Sequence, residues 1–451
     1  MPTVTNWFGD LVSHPQAVVE AQSAEDIARI LRDPVNFPSP VRAVGSNHST
    51  AACTTADGGT VIKMRGMNRI LEIVGDTVRV EAGAILFDVA QELKQRGWQF
   101  YVNTEIGSLT IGSAACSGTK DSSMPGEFGQ VNSYCIGMKM VLASGETLEA
   151  TEAADPELMK LLRCSYGTFG VVTEATFRIR PIQPMEVFHE TFSVKEFTSR
   201  LPELLGRGYS VMYYLFLFDE LVTVEFRKYS PKAKSKPDEH VWALRNYLWA
   251  QAGPLTCAQA ERDIENKTVR YKVVDAYGAL WRTNLENIIR SKNTFASDQF
   301  IRYPDVSGDS RYTFSFWAFP ESSYAAILSK YTKWVKNYYK TVGYRTNMLH
   351  VGYRVAQDRN STLSYSFDGN VMTIDPVSTA NPGWNEFLAA YNEWCSGQGG
   401  LPLPNQTPGS TRTQAVAALG ARLEIVAAKR SEFDPGNRLL NGFFRELFDV
   451  A

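Results

Sequence analysis

Three short stretches hold residue types whose spacing could do chemistry. The first is Val41-Arg42-Ala43-Val44-Gly45-Ser46-Asn47-His48-Ser49-Thr50. A strand ending at Val44 runs into a turn where Gly45 lets the backbone approach closely. Successive amides, with the side chains of Ser46, Asn47 and Ser49, can cradle an anion such as a pyrophosphate, and His48 sits at the edge of the cradle. On residues alone, a plain strand-to-loop turn with a surface histidine accounts for the same letters. The second stretch, residues 107–123 (GSLTIGSAACSGTKDSS), has small side chains at nearly every position, so its backbone amides could lie against a flat, phosphate-bearing ligand. A mobile linker is the alternative, but Leu109, Ile111, Ala114, Ala115 and Cys116 are unlike a solvated one. The third is His350-Val351-Gly352-Tyr353-Arg354. Strand alternation puts His350, Gly352 and Arg354 on one face, and Leu349, Val351, Tyr353 and Val355 on the other. If the apolar face packs inward, the polar face offers His350 as a base, with an ordinary pKa near ~6.5, and Arg354 as a cation for developing negative charge. A sheet edge with a solvated His and Arg is the competing explanation.

The elements around these stretches are readable. Ser23 can cap a helix to Asp33, with Ile27, Ile30 and Leu31 on one face. Val41–Val44 and Val61–Met64 read as strands, and residues 69–74 and 77–81 as a hairpin about Gly75-Asp76. Phe87 to Arg96 is an amphipathic helix stopped by Gly97. Asp155-Pro156 opens a helix to Cys164, and Val171–Arg180 is a strand. Beyond residue 185 the texture becomes aromatic. Residues 211–218, 221–227, 312–319 and 347–355 read as strands, Tyr229–Glu239 as a charged loop, and Tyr324–Tyr339 as a strong amphipathic helix. Leu363–Phe367 and Val371–Ile374 bracket an Asp-Gly turn, and a helix covers Thr413–Arg430. The aromatics Tyr213, Phe216, Phe218, Tyr312, Phe314 and Phe316 could line a substrate pocket but fit sheet core better.

Composition narrows the function classes. The chain has 451 residues, Lys plus Arg 46 against Asp plus Glu 48, and a formal net charge of -2. That balance argues against a protein built for nucleic-acid backbones. The length suggests two domains. No run approaches the ~18–20 apolar residues of a membrane span, and MPTVTNWFGD lacks the pattern of a secretory signal, so a cytoplasmic location is expected. The six scattered cysteines read as buried hydrophobes, and five isolated histidines make a metal site improbable. There is no GxGxxG after a strand, no GxxxxGK[ST] and no GxSxG, which disfavours Rossmann, P-loop and serine-hydrolase readings.

Taken in order, the segments resemble a known family, the vanillyl-alcohol-oxidase-type (PCMH-type) FAD flavoproteins, in their aldonolactone and alditol oxidase branch. The Arg42-x-x-Gly45-x-x-His48-Ser49 loop is similar to their first flavin loop, and residues 107–123 to their second. Tyr166 to Val172 resembles the strand entry that contacts adenine, and FDPGNRLLNGFFRELF resembles the branch's ending. The resemblance implies an α+β, two-domain flavoprotein. Its FAD-binding domain would be 1–182, its mixed sheet-and-helix cap (substrate) domain 183–396, and 397–451 would return to the FAD domain. It implies FAD joined covalently through His48. Cofactor contacts would come from Arg42, Gly45, Ser46, Asn47, His48, Ser49, Gly107, Ser108, Thr110, Gly112, Ser113, Gly118, Thr119, Asp121, Ser122 and Val172. Thr104 to Gly107 contains no cysteine, so a single tether is expected, and Cys116 is read as packing. The usual GTHG reads Gly118-Thr119-Lys120-Asp121, which puts a positive charge near the flavin or substrate. Where the branch has Glu-x-Arg on a strand, this chain has Gly352 and Arg354, which points to His350 as base and Arg354 as its partner, with Gly352 opening space for a larger substrate. Asn405 and Gln406 stand roughly where the branch places a polar substrate contact, alongside Lys120. The implied reaction is oxidation of a hydroxyl-bearing carbon of a small molecule such as a sugar lactone or polyol, with reoxidation by O2 or another acceptor. A bulkier non-carbohydrate substrate, an NADPH-dependent reductase and a non-enzymatic ligand-binding protein are the alternatives.

Overall fold

The computed structural model describes residues 2–230, 239–287, 291–303 and 310–450. Most of the charged loop expected at Tyr229–Glu239 lies outside the described residues. The chain is α+β, and most of its strands gather into two bodies of sheet, with two short two-stranded pairs besides. In the first, Ala17–Glu20, Thr60–Lys63 and Val41–Val44 form a parallel ribbon. Beside it runs an antiparallel sheet in the order Thr147–Thr151, Cys135–Val141, Val171–Pro181, Thr77–Glu81, Ile70–Val74. Local signals fix these elements. Ser23 Oγ accepts from the Asp26 amide to start helix Ala24–Arg32. Asp155 does the same for Leu158 at the head of Pro156–Leu162. Gly75 turns the 70–81 hairpin at φ +57.

The C-terminal segment closes this body. Leu419, Leu423, Val426, Leu439, Leu440 and Phe444 join the core built from residues 21–179. The FDPGN sequence explains how. Asp434 accepts from the Arg438 and Leu439 amides, and the Arg438 guanidinium reaches the carbonyls of Ile30, Leu31 and Phe37. The helix expected across Thr413–Arg430 is two helices, Arg412–Leu419 and Ala421–Phe433, because Gly420 leaves helical backbone at φ +54.

The second body is an antiparallel sheet in the order Ser291–Phe295, Pro184–Ser193, Leu221–Tyr229, Ser210–Phe216, His350–Val355, Val371–Ile374, Trp317–Pro320, Leu401–Pro402. Leu363–Phe367 is not a strand but a run of turns. Val371–Ile374 pairs instead with His350–Val355 and Trp317–Pro320. One face of the sheet carries Tyr213, Leu215, Met372 and Ile374. It is covered by helices Val194–Gly206, Glu321–Val342 and Trp384–Gly397 through Phe197, Tyr324, Leu328, Tyr331, Phe387 and Tyr391. The opposite face carries Met212, Tyr214, Val351, Tyr353 and Val355 and packs with Trp249 and Trp281. All six cysteines are buried and free. No helix of the described residues is long and apolar enough to cross a membrane.

Gly352 marks how tightly the first of these faces is packed. A Cβ there would lie 2.0 Å from the Tyr213 ring and 2.6 Å from the Thr373 carbonyl oxygen. Gly352→Ala is therefore expected to destabilise the fold by about 1–3 kcal/mol, the usual cost of overpacking a dense core. Denaturant unfolding checks this, and a wild-type midpoint would show that the strand relaxes freely.

Candidate functional site

A cavity of about 1500 Å³, its mouth included, lies between the two bodies and is walled by both small-residue segments. The first loop enters it through Gly45, Ser46, Asn47, His48 and Ser49. Asn47 takes left-handed backbone at φ +56. Its amide nitrogen Nδ2 donates to the Thr5 carbonyl, and its Oδ1 accepts from Thr54 Oγ1. The second segment, where no sustained period was expected, holds a short helix, Ile111–Cys116. It enters the cavity through Thr110, Gly112, Ser113, Gly118, Thr119 and Lys120. The two loops lie against each other. A Cβ on Gly45 would sit 2.2 Å from Thr110 Oγ1, so the glycine is demanded by the neighbouring loop. Likewise a Cβ on Gly118 would sit 2.2 Å from Leu403 Cδ1. Val172 completes this wall.

His48 sits at the edge of the cavity with its ring stacked on Trp7, centroids 5.1 Å apart, and edge-on to Tyr303 at 5.9 Å. Burial pushes its pKa down to about 3, so the imidazole is neutral and one ring nitrogen keeps its lone pair. Trp7 comes from the N-terminal strap, where its amide donates to the Asn47 carbonyl.

Five of the residues expected to touch a cofactor are fastened by bonds within the protein. Arg42 borders the cavity but donates to the carbonyls of Cys53, Tyr166 and Leu439, tying three segments together, with burial pushing its pKa down to about 10. Gly107 and Ser108 are fastened to the backbone of Ile301 and Tyr303 outside the cavity. Asp121 accepts from Arg227 and Gln299, and Ser122 bonds Arg227 and Ser210. Asp121 and Ser122 thereby clamp the second segment to the second body of sheet, and Gly107 and Ser108 clamp it to the 301–303 segment.

The wall formed by the second body of sheet corrects the reading of the third stretch. Val351 and Tyr353 line the cavity, together with Trp249, Tyr312 and Phe314. His350 and Arg354 point the other way. His350 is buried against Tyr331, its Nε2 3.1 Å from the phenol oxygen, and burial pushes its pKa down to about 3. Arg354 donates to Glu321 Oε2 at 2.8 Å. The space beside Gly352 is filled by Tyr213. The polar face is the covered one because helix Glu321–Val342 supplies both polar partners, Tyr331 and Glu321.

Two buried ion pairs border the cavity in place of His350 and Arg354. Lys120 Nζ lies 2.5 Å from Asp375 Oδ2, donates to Gln406 Oε1 at 2.8 Å, and stands 4.7 Å from the ring centroids of both Phe314 and Phe316. Burial pushes the Asp375 carboxyl up to about 6 and the Lys120 ammonium down, each shift partly offset by the other charge. Glu105 accepts from Arg245 at 2.8 Å. Asn405 and Gln406 also reach the cavity, and Asn405 Nδ2 donates to the Gly118 carbonyl. Asp375 was not singled out from the sequence. Its only signal is a carboxylate ending the apolar run Val371-Met372-Thr373-Ile374.

Residues 15–151 match the family model described as FAD binding domain. L-Gulono-1,4-lactone dehydrogenase of Mycobacterium tuberculosis is 22% identical over 461 residues, covering 99% of each chain. Glycolate oxidase subunit GlcD of Bacillus subtilis is 31% identical over 186 residues, 38% of each chain. Among solved structures, cholesterol oxidase from B. sterolicum superposes with a TM-score of 0.77 at 15% identity, covering 99% of this chain and 96% of that one, which is a likeness of fold. The residues present fit such a cofactor: two Gly/Ser/Thr segments, held against each other at Gly45 and Thr110, line one wall of the cavity. Gly45→Val should force the two loops apart, giving folded protein with a flavin-to-protein absorbance ratio well below wild type. An unchanged ratio would place flavin binding elsewhere.

Proposed function

We propose that the chain is a flavoprotein of the vanillyl-alcohol-oxidase (PCMH) type and oxidises a hydroxyl-bearing carbon with FAD tethered once, through His48. The observation that carries this reading is a neutral, ring-clamped imidazole at the edge of a cavity walled by the two Gly/Ser segments. When bound, FAD supplies a two-electron acceptor for a hydride. The chain supplies the rest. The Trp7 stack orients the His48 ring, and a neutral nitrogen is the form that can bond to carbon. Ser46, Asn47, Ser49, Thr110, Ser113 and Thr119 are the groups placed to hold the cofactor. In this reading residues 1–182 with 397–451 bind the flavin, and 183–396 form the cap.

Support for a CH–OH donor comes from the relatives. They are named for gulonolactone, arabinonolactone and glycolate, and the structural neighbour for cholesterol; each of these compounds carries a hydroxyl. Sugar lactones are the default class, with oxygen or another acceptor closing the cycle. Acid-precipitated wild-type protein is expected to keep its yellow colour, and His48→Ala to release it. Free FAD in the supernatant of acid-denatured wild type would refute the tether. Flavin bleaching without oxygen across polyols, aldonolactones and aromatic alcohols tests the donor class.

A further inference from the structure

We propose that Asp375, held by Lys120, is the group that binds the substrate hydroxyl and takes its proton, and that the substrate is an uncharged alcohol. This rests on the CH–OH reading above and names the residue and substrate class for that site.

The sheet register places Asp375. The pairs Arg354 with Met372 and Val355 with Val371 continue to Val351 opposite Asp375, whose backbone groups exchange hydrogen bonds of 2.8 and 3.0 Å. Directly opposed residues share a face, so Asp375 shares the cavity face with Val351 and Tyr353. Its Oδ2 lies against the Lys120 ammonium, both carboxylate oxygens are buried, and the Thr373 side chain is a further hydrogen-bonding neighbour of the carboxyl. Asn405 Oδ1 is buried and unpartnered, and its orientation is fixed because Nδ2 must face the Gly118 carbonyl. Asp375 and Asn405 thus bring buried acceptor oxygens to the cavity lining, and a substrate hydroxyl is a donor that could satisfy them.

The same count argues against a carboxylate substrate. The cation on this wall, Lys120, is already neutralised by Asp375, and Arg245 behind Glu105 is neutralised by that residue. An incoming carboxylate would meet Glu105, Asp375 and the Asn405 oxygen. The surrounding surfaces are Val351, Tyr353, Phe314, Tyr312 and Trp249, suited to an apolar flank.

The half-reaction balances. The carbinol O–H bond breaks and its proton passes to Asp375 Oδ1; the carbinol C–H pair leaves as hydride to the cofactor, and a C=O bond forms. A carboxyl titrating near 6 is ionised at neutral pH and can accept that proton. Lys120 positions the carboxylate and keeps it charged.

The test uses the flavin-loaded protein without oxygen. Probes are benzyl alcohol, cyclohexanol, sorbitol and L-gulono-1,4-lactone as uncharged donors, and glycolate and lactate as carboxylates. Asp375→Asn is compared with the double variant Asp375→Asn/Lys120→Met, which leaves no unpaired buried charge should the single variant fold poorly. At least one uncharged alcohol should bleach wild type, glycolate and lactate should not, and both variants should bleach about 10²-fold or more slowly with flavin content unchanged. Cumyl alcohol, which has no carbinol hydrogen, gives a readout free of turnover: its flavin difference spectrum should weaken in both variants. Wild-type bleaching rates in the variants would overturn Asp375 as acceptor while leaving the CH–OH reading standing. Fastest reduction by glycolate or lactate would overturn the substrate class. Flavin loss from both variants would assign the pair to the cofactor and overturn the proposal. Failure of every probe on wild type would sink the CH–OH reading and this assignment with it.

Discussion

The site depends on which face of one strand meets the cavity. His350–Val355 lies inside an antiparallel sheet, and alternation gives it two faces with no freedom to mix them. Tyr213 lies across Gly352, so the Gly352 face is the one closed against helix Glu321–Val342. Everything on that face, His350 and Arg354 included, is then committed to Tyr331 and Glu321. Everything on the other face, together with the opposed Asp375, forms the cavity wall. A one-residue slip would exchange the two sets, and the packing of Tyr213 against a bare Cα opposes it.

The second constraint is how the small-residue segments are held. Flexible Gly/Ser backbone must be fixed from outside before it can present amides to a ligand. Arg42 binds three carbonyls from segments far apart in sequence. Asp121, Arg227 and Gln299 join the second segment to the second body of sheet, and Arg227 also lies 2.9 Å from buried Glu225. Burying such charges costs several kcal/mol per ion unless each is paired and hydrogen-bonded, so removing one member alone strands the others. The C-terminal residues 434–441 add the same kind of fastening, with Asn441 donating to the carbonyls of Ala52 and Thr55 beneath the first loop.

Much of this was legible in the sequence where local chemistry decides it. The caps at Ser23 and Asp155, the Gly75 turn and the small residues of 45–49 and 107–123 all act through near neighbours. What local chemistry does not decide was misread. The strand at 350–355 carries polar residues on one face and Val and Tyr on the other, and the usual rule sends the apolar face inward. Here both faces are buried, and the polar one is satisfied by a helix from elsewhere in the chain. Gly45 and Gly118 read as room for a ligand, whereas their bare Cα atoms meet Thr110 and Leu403. Asp375 becomes visible only through register, a tertiary property. Leu363–Phe367 carries alternating letters but lacks a partner strand, and it folds as turns.

The most direct measurement is a crystal structure of the flavin-loaded protein. The account predicts flavin density in the cavity between the 45–49 and 110–120 segments, with the ring system on the Val351, Tyr353 and Asp375 side. Density for the ring system on the His350, Gly352 and Arg354 side, or flavin bound outside this cavity, would contradict it.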